Sequence, residues 1–484
     1  MKKLSVLLGA VIMVLALTMP AAAFENEFGG YWRTRAFSNW DFTGNTNDKR
    51  MNVENIDTRT RLYYTAKFSD NLKFVNKFEM NARWGGSVNS TTSTYGVGTA
   101  ATLGGGNSYG QLAADGANFV VKQSYVDFKL AQQRFTVGVQ DFTLARGFLF
   151  DDDAAGVKAI FKVNDAIYLP LIYMKIYEGG WGTTNNAANG PNSDNYDVDV
   201  YVFYPTLYLT KDHVFKPHVA TIQAENYTRA ATKGVTNALL NPAQATKVNL
   251  WSAGIEYDGK FDIFTFGLTG IMEFGDATVN PLNPLFKANN IGTVNYKGYL
   301  YEGHGAVDLG PANIHLKGIY ASGDGKADFA KTGNNYGFVV PGYQFNVGGN
   351  YNNYDQANWA EIMGGGMFDY QMPMNGTQNQ LGSAISNAII GGLGGSYKLL
   401  PDLKFSADIW MAYAADSIYM PTTNSNSDYY GTELDLKLTY TIVDNLKIDL
   451  VGAYLWAGDA ITKSLSATGN ANPIEIGTQL SLAF

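Results

Sequence analysis

Apolar and polar residues alternate strictly through most of the chain, and this period of two constrains the fold more than any other feature. Between residues 433 and 440, for example, Leu434, Leu436 and Leu438 alternate with charged residues. In a β-strand this alternation places the two sets on opposite faces. The segments extend over roughly 9 to 14 residues, longer than the ~5–6 typical of soluble sheets and long enough for a tilted strand to cross a bilayer. The pattern therefore predicts membrane-crossing strands with one apolar and one polar face.

Two kinds of connection separate these segments. Short ones are rich in Asp, Asn, Gly and Pro, which favour tight turns, and Asp-Asn-Leu-Lys occurs at both 70–73 and 444–447. Long ones, such as 85–117, are rich in Gly, Asn, Ser and Thr. Their alternation predicts about 18 strands with both termini at the short-turn end, in a range of 16 to 20 whose upper value needs a further hairpin near 361–370. The predicted strands are 27–37, 56–68, 72–84, 118–130, 134–142, 154–162, 167–178, 196–210, 214–228, 246–258, 261–274, 294–309, 312–322, 385–399, 403–416, 429–442, 446–458 and 473–484.

Strands of this kind can cross lipid only as a closed cylinder, because every backbone N–H and C=O must be paired without water. We therefore predict an all-β fold, a transmembrane antiparallel β-barrel. A cylinder of about 18 strands is roughly 35 Å wide, which wall side chains cannot fill. Because alternation begins as early as Glu27, we expect no plug domain ahead of the barrel. The lumen should hold water and inserted loops.

The N-terminus has the three parts of a secretory signal peptide. Lys2 and Lys3 precede an apolar run at 4–17, and three alanines follow at 21–23. The run is too short to cross a bilayer of about 30 Å as a helix, so we predict a cleaved signal peptide at 1–23 and a barrel at 24–484. Export and a barrel together predict the outer membrane of a Gram-negative bacterium, in contact with lipid and lipopolysaccharide.

Composition argues against several functional classes. The chain has no cysteine, which removes cysteine-based zinc sites, iron–sulfur clusters and covalently attached c-type haem. Its net charge of −8 argues against nucleic-acid binding. The four histidines match no metal-binding spacing. We therefore expect no nucleic-acid partner, no cofactor, no metal site and no enzymatic activity.

Charged residues mark the face that meets water, because an Arg or Lys facing lipid at the bilayer midplane costs about 2–4 kcal/mol. In the first three predicted strands, cations share this face, where they either form an anion-attracting strip or simply solvate the wall. Elsewhere the face is mixed or acidic, which predicts a field across the pore. The predicted basic pore-lining residues are Arg33, Arg35, Arg59, Arg61, Lys67, Lys73, Lys77 and Arg83. The predicted acidic pore-lining residues are Asp197, Asp199, Asp408, Glu433, Asp435 and Asp449.

An aromatic and acidic stretch between two predicted strands, at 142–156, is a candidate constriction loop. It contains Arg146 and three consecutive acids, Asp151, Asp152 and Asp153. Folded inward, these residues would narrow the pore and attract cations. The alternative is a solvent-exposed loop tip.

Two short segments carry a resemblance to a known family. Val137–Val157, which reads VGVQDFTLARGFLFDDDAAGV, and Tyr320–Gly325, which reads YASGDG, resemble segments of the alginate-export family of outer-membrane porins. The terminal Phe484 is similar to the terminal aromatic residue that directs barrel assembly in that class. The overall sequence pattern is also similar to that of porins of metal-reducing proteobacteria. The resemblance implies a barrel fold and a pore function, and we infer no substrate from it.

These observations together predict an outer-membrane porin. It would be a water-filled channel for passive diffusion of small hydrophilic solutes or ions, as a homotrimer or a monomer. One alternative is a barrel that serves as a sheath or scaffold for a periplasmic electron-transfer partner, which would co-purify with a haem protein. Another is a polysaccharide export channel.

Overall fold

The computed structural model describes residues 24–42, 44–46, 49, 52–85, 119–177, 197–225, 245–279, 284–324, 329–341, 359–368, 381, 385–420, 423–465 and 469–484. The predicted signal peptide at 1–23 lies outside the described residues, as do large parts of the long connections.

Eighteen antiparallel strands form one closed barrel, as the alternation predicts. The first and last strands pair from Tyr31 opposite Ala483 to Trp40 opposite Ile474, which closes the sheet. Pro205 lies between the two halves of the eighth strand, where a residue without a backbone N–H interrupts pairing. The strands are β1 (Glu25–Trp40), β2 (Val53–Ser69), β3 (Leu72–Arg83), β4 (Phe119–Leu130), β5 (Gln133–Leu144), β6 (Phe150–Asn164), β7 (Ile167–Tyr177), β8 (Val198–Phe203 and Thr206–Thr210), β9 (His213–Glu225), β10 (Ala245–Phe261), β11 (Phe264–Val279), β12 (Thr293–Tyr296 and Tyr299–Asp308), β13 (Ala312–Ala321), β14 (Ala388–Leu400), β15 (Leu403–Met420), β16 (Ser425–Val443), β17 (Leu446–Ala457) and β18 (Ile474–Ala483).

Short turns of two or three residues join alternate strand pairs at one end of the barrel, which we call the short-turn mouth. Asn445 adopts a φ of 67°, a left-handed conformation that Asn tolerates. The side chain of Asn164 accepts a 2.8 Å hydrogen bond from the backbone N–H of Ala166. One predicted strand end is wrong: the strand predicted to end at 258 continues as β10 through Asp258 and Gly259 to Phe261. The chain reverses instead at Asp262, whose φ is 53°.

The two faces of the wall differ in polarity. Large apolar side chains such as Leu268, Leu316 and Leu393 are more than half exposed on the outer surface. Acids such as Glu302 and Glu433 are buried on the opposite face. A contiguous exposed apolar surface of this extent suits contact with lipid.

Several connecting segments fold inside the barrel and are buried there. They are residues 145–149 between β5 and β6, parts of 333–341 and 359–368 between β13 and β14, and the short helix Asp459–Leu465 between β17 and β18. The described residues 359–368 form turns and bends, so the hairpin considered near 361–370 does not occur there. Among the described residues, no helix is both long and apolar enough to cross a membrane.

Candidate functional site: the charged lumen

The eight predicted basic residues share one face of β1, β2 and β3, and we call this set the basic face. The strand register aligns them, with Arg33 opposite Arg59 and Lys67 opposite Lys73. The full set is Arg33, Arg35, Arg59, Arg61, Lys67, Lys73, Lys77 and Arg83. Within each strand the odd positions share a face because the side-chain period is two, and the pairing register then places the three odd faces on the same side of the sheet.

Two carboxylates neutralise part of the basic face. Asp57 accepts a bidentate pair of hydrogen bonds from Arg35, at 3.1 and 3.0 Å. Glu79 accepts a 2.7 Å hydrogen bond from Nε of Arg61 and lies 3.7 Å from Arg59. Pairing of this kind reduces the field that a cation projects into the lumen.

The remaining basic-face residues have different surroundings. Lys67 lies 3.5 Å from Glu25 and 3.4 Å from Asp70. The ammonium of Lys77 lies 5.4 Å from the ring centroid of Tyr63, within range of a cation–π interaction. Arg83 is in register with Asp57.

A central cavity of about 890 Å³ lies between the basic face and strands β13–β17. Arg33, Arg59 and Arg61 line it from one side, and Trp359 and Trp410 contact each other in its wall with ring centroids 5.4 Å apart. In all, six cationic and four acidic side chains line the cavity. The other charged lining residues are Lys404, Lys437, Lys447, Glu361, Asp408, Asp435 and Asp449.

Three of the predicted acidic residues have cationic partners in the wall. Lys175 lies 2.7 Å from Asp197 and 3.2 Å from Asp199. Asp449 is buried, accepts a 2.6 Å hydrogen bond from Thr439 and lies 3.9 Å from two lysines, Lys437 and Lys447.

Asp408 lies 2.6 Å from Nε2 of His315. Cations and a histidine thus accompany the acids along the wall, which is mixed in charge there. Positive and negative charges are therefore less clearly separated into a basic and an acidic side of the pore than the sequence predicts.

The first inward segment, residues 145–149, crosses the lumen through Arg146. This guanidinium donates to Oγ1 of Thr269 at 2.8 Å and to Asp258 at 2.8 Å, and it lies 3.7 Å from Glu302 and 4.0 Å from Glu256. These partners stand on β10, β11 and β12, far from β5 and β6 around the wall. Arg146 therefore anchors the segment across the lumen.

The three consecutive acids have a different place from Arg146. They lie within β6, which begins at Phe150, four residues before the predicted strand. Thr143 donates to Asp151 at 2.9 Å, and Asp153 pairs with Lys122 at 2.6 Å. Asp152 accepts a 2.7 Å hydrogen bond from the backbone N–H of Asp153. The triad therefore belongs to the wall rather than to the tip of a loop.

The second inward segment, residues 359–368, is anchored by its backbone. The buried carboxylate of Glu433 accepts hydrogen bonds from the N–H groups of Ile362 and Met363, at 2.5 and 2.8 Å. Asp435 accepts a 3.3 Å hydrogen bond from the N–H of Glu361.

Contacts with β1 hold the other end of this segment. Arg35 donates to the carbonyl of Met367 at 2.9 Å. Phe368 stacks on Phe37 with ring centroids 4.9 Å apart. Two predicted acids and one predicted base thus fix a loop in the lumen.

Sequence reasoning did not identify the acids that pair with Arg146. Glu256 and Glu302 occupy the polar parity of alternating strands, so the alternation marked them as lumenal, but it did not show which loop would reach them. Sequence reasoning also missed Trp359, because it lies in a long connection that has no periodic pattern. Among the described residues, no group of three or more His, Cys, Asp or Glu side chains is placed to hold a metal ion.

Comparison with known proteins identifies the fold. No protein-family model and no curated protein matches the sequence, so the resemblance to the alginate-export family stays a prediction. Solved structures with a similar fold include OccAB1 of Acinetobacter baumannii, 10% identical, covering 95% of this chain and 97% of that one with a TM-score of 0.53. OccK11 (OpdR) of Pseudomonas aeruginosa is 11% identical, with coverages of 95% and 96% and a TM-score of 0.51.

The outer membrane protein OpdK of Pseudomonas aeruginosa is 10% identical, with coverages of 95% and 98% and a TM-score of 0.51. Such distant likeness shows the fold alone. The chain has the barrel fold of these structures over nearly its whole length.

Proposed function

We propose that the protein is a passive diffusion channel in the outer membrane of a Gram-negative bacterium, reached after removal of a signal peptide at 1–23. One observation carries the proposal: a cavity of about 890 Å³ lined by charged side chains lies inside a closed barrel whose outer surface is apolar. Charged groups in the lumen keep water there, and the apolar exterior suits lipid. Small hydrophilic solutes or ions would pass through this space.

Small organic anions are the solutes that the lumen suits best. Cationic side chains outnumber acidic ones around the central cavity, and Arg33, Arg59 and Arg61 stand together on one side of it. Trp359 and Trp410 offer aromatic surface beside them. A distant structural neighbour, OpdK, was solved with vanillate, at 10% identity and a TM-score of 0.50, which supports an aromatic carboxylate as the first solute to test.

Planar bilayers test the channel itself. Purified protein should produce stepwise increases in conductance, because each inserted barrel adds one aqueous path. A protein that inserts into the bilayer and carries no current would contradict the proposal.

Ion selectivity tests the basic face. Arg33→Gln with Arg59→Gln should move the reversal potential in a salt gradient toward cation preference, because two positive charges leave the cavity wall. The matched control is Lys49→Gln with Lys211→Gln, two cations with well-exposed side chains that do not line the cavity. Equal reversal potentials for both double variants would show that the basic face only solvates the wall.

A further inference from the structure

A second cavity, of about 430 Å³, lies at the short-turn mouth, and we call it the mouth cavity. Lys67, Lys73, Lys129 and Arg134 line it together with the turn residues Asp70 and Asn71 and with Leu72 and Asp127. Lys67 and Lys73 belong to the basic face, so the cavity opens on the lumen side of the wall. The set comprises four cations and two carboxylates.

The strand register brings like charges opposite each other in this cavity. Lys67 on β2 is the direct cross-strand partner of Lys73 on β3. Lys129 on β4 is the direct partner of Arg134 on β5. On its other side, Lys73 is the direct partner of Asp127 on β4, so this one carboxylate faces both Lys73 and Arg134. Two like-charged pairs on adjoining strands destabilise a sheet unless enough negative charge compensates them.

Only two of these four cations, Lys67 and Arg134, form an ion pair with a carboxylate within 4.0 Å among the described residues. Lys67 has Glu25 and Asp70 within 3.5 Å. Arg134 donates two hydrogen bonds to Asp127, at 3.0 and 2.9 Å. Across the described residues, neither Lys73 nor Lys129 has a carboxylate within 4.0 Å or a side-chain hydrogen bond.

The turn at the cavity edge is held in place. The carbonyl of Asn71 accepts a 2.9 Å hydrogen bond from the N–H of Lys129. The N–H of Asn71 donates to Oγ of Ser69 at 3.2 Å. The amide side chain of Asn71 therefore lines the cavity from a fixed backbone and can donate to an oxyanion.

We propose that the mouth cavity binds a doubly charged phosphate group, as inorganic phosphate or as the monoester of a small solute. The ammonium groups of Lys73 and Lys129 form no ion pair within 4.0 Å among the described residues and can donate to a phosphate, whose oxygens accept several hydrogen bonds at once. Because the cavity lies on the lumen side of the wall, the phosphate would come from solution rather than from a lipid headgroup. The site is separate from the central cavity and does not depend on the channel proposal.

Phosphorus NMR of inorganic phosphate tests the site on the full-length protein in a phosphate-free maltoside detergent. The wild type should broaden the phosphate resonance, and Lys73→Gln with Lys129→Gln should weaken the affinity by at least about tenfold because both ammonium groups are lost. Lys73→Arg with Lys129→Arg should keep the affinity within about threefold, since the charge remains. The matched control is Lys211→Gln with Lys260→Gln, two lysines near other short turns of the same mouth.

Two results would overturn the site: phosphate affinity unchanged in Lys73→Gln with Lys129→Gln, or an equal loss in the control double variant. Circular dichroism must show an intact barrel in each variant. Conductance in planar bilayers separates this proposal from the channel, because a conducting protein that binds no phosphate rejects only the mouth site. A phosphate-binding protein that carries no current rejects only the channel.

Discussion

The two inward segments reach the lumen by opposite chemistry. The first, residues 145–149, extends one positively charged side chain, that of Arg146, to acids on β10 and β12. The second, residues 359–368, presents its backbone N–H groups to carboxylates on β16. In the first case a charged loop side chain pairs with wall carboxylates, and in the second the wall carboxylates bind an uncharged loop backbone.

Backbone conformation separates the two segments as well. In the first, Ala145 and Arg146 have φ values of 51° and 53°, a left-handed conformation that is unfavourable for residues with a Cβ. In the second, the left-handed positions are glycines, Gly365 and Gly366. The first segment therefore keeps a strained turn that the Arg146 contacts must stabilise, whereas glycine relieves the second.

The largest effect should follow loss of the wall anchor of the second segment. Glu433→Ala removes the acceptor of two buried N–H groups and should lower the free energy of unfolding by about 4 kcal/mol. Hydrogen exchange at Ile362 and Met363 should accelerate, and single-channel conductance should rise as the segment leaves the lumen. Glu433→Gln keeps one acceptor and should have about half the effect on stability. Unchanged exchange in Glu433→Ala would mean that other contacts hold the segment.

Loss of the side-chain anchor should have a slightly smaller effect. Arg146→Gln removes the guanidinium from the buried carboxylates Glu256 and Glu302, which keep only their hydrogen bonds with Tyr204, Thr269 and His304, and should destabilise the barrel by about 3 kcal/mol. Conductance should rise, while hydrogen exchange at Ile362 stays as in the wild type because the second segment has separate anchors. If exchange rises in both segments together, the two segments are coupled and the contrast between them fails.

Gly366 in the second segment gives the third prediction, a loss of stability when a side chain is added there. A Cβ at Gly366 would lie 1.9 Å from Oε2 and 2.5 Å from Cα of Glu361. Gly366→Ala should therefore lower the unfolding free energy by about 2 kcal/mol through this clash and the left-handed φ. Thermal unfolding measures the loss, with Gly391→Ala as the control because no atom lies within 4 Å of a Cβ there. Equal midpoints for the two variants would rule out the clash.

The smallest effect has the opposite sign. Ala145→Gly should stabilise the protein by about 1 kcal/mol, because glycine adopts the left-handed φ of the first segment without the steric cost of a Cβ. The thermal midpoint should rise slightly. A fall in the midpoint would show that the flexibility of glycine in the unfolded chain outweighs the strain that it relieves.

The sequence by itself determined the barrel. Alternation fixed which residues share a face, and turn residues such as Asp70, Asn164 and Asn445 placed most strand ends within a few positions. These features are local, so they can be read without knowing the partners of each strand. The strand end predicted at 258 was wrong because Asp258 and Gly259, of residue types that favour turns, lie there within a strand.

Only the tertiary structure decided which charges meet. Arg146 and Asp258 are 112 residues apart, and Glu433 and Ile362 are 71 apart. No periodic pattern specifies such contacts, because they depend on where a closed cylinder brings distant strands and how far a loop reaches inside it. The alternation of residues along each strand placed the charged side chains on the face that meets water. The closure of the barrel then determined which of these charges are neutralised and which face the cavities.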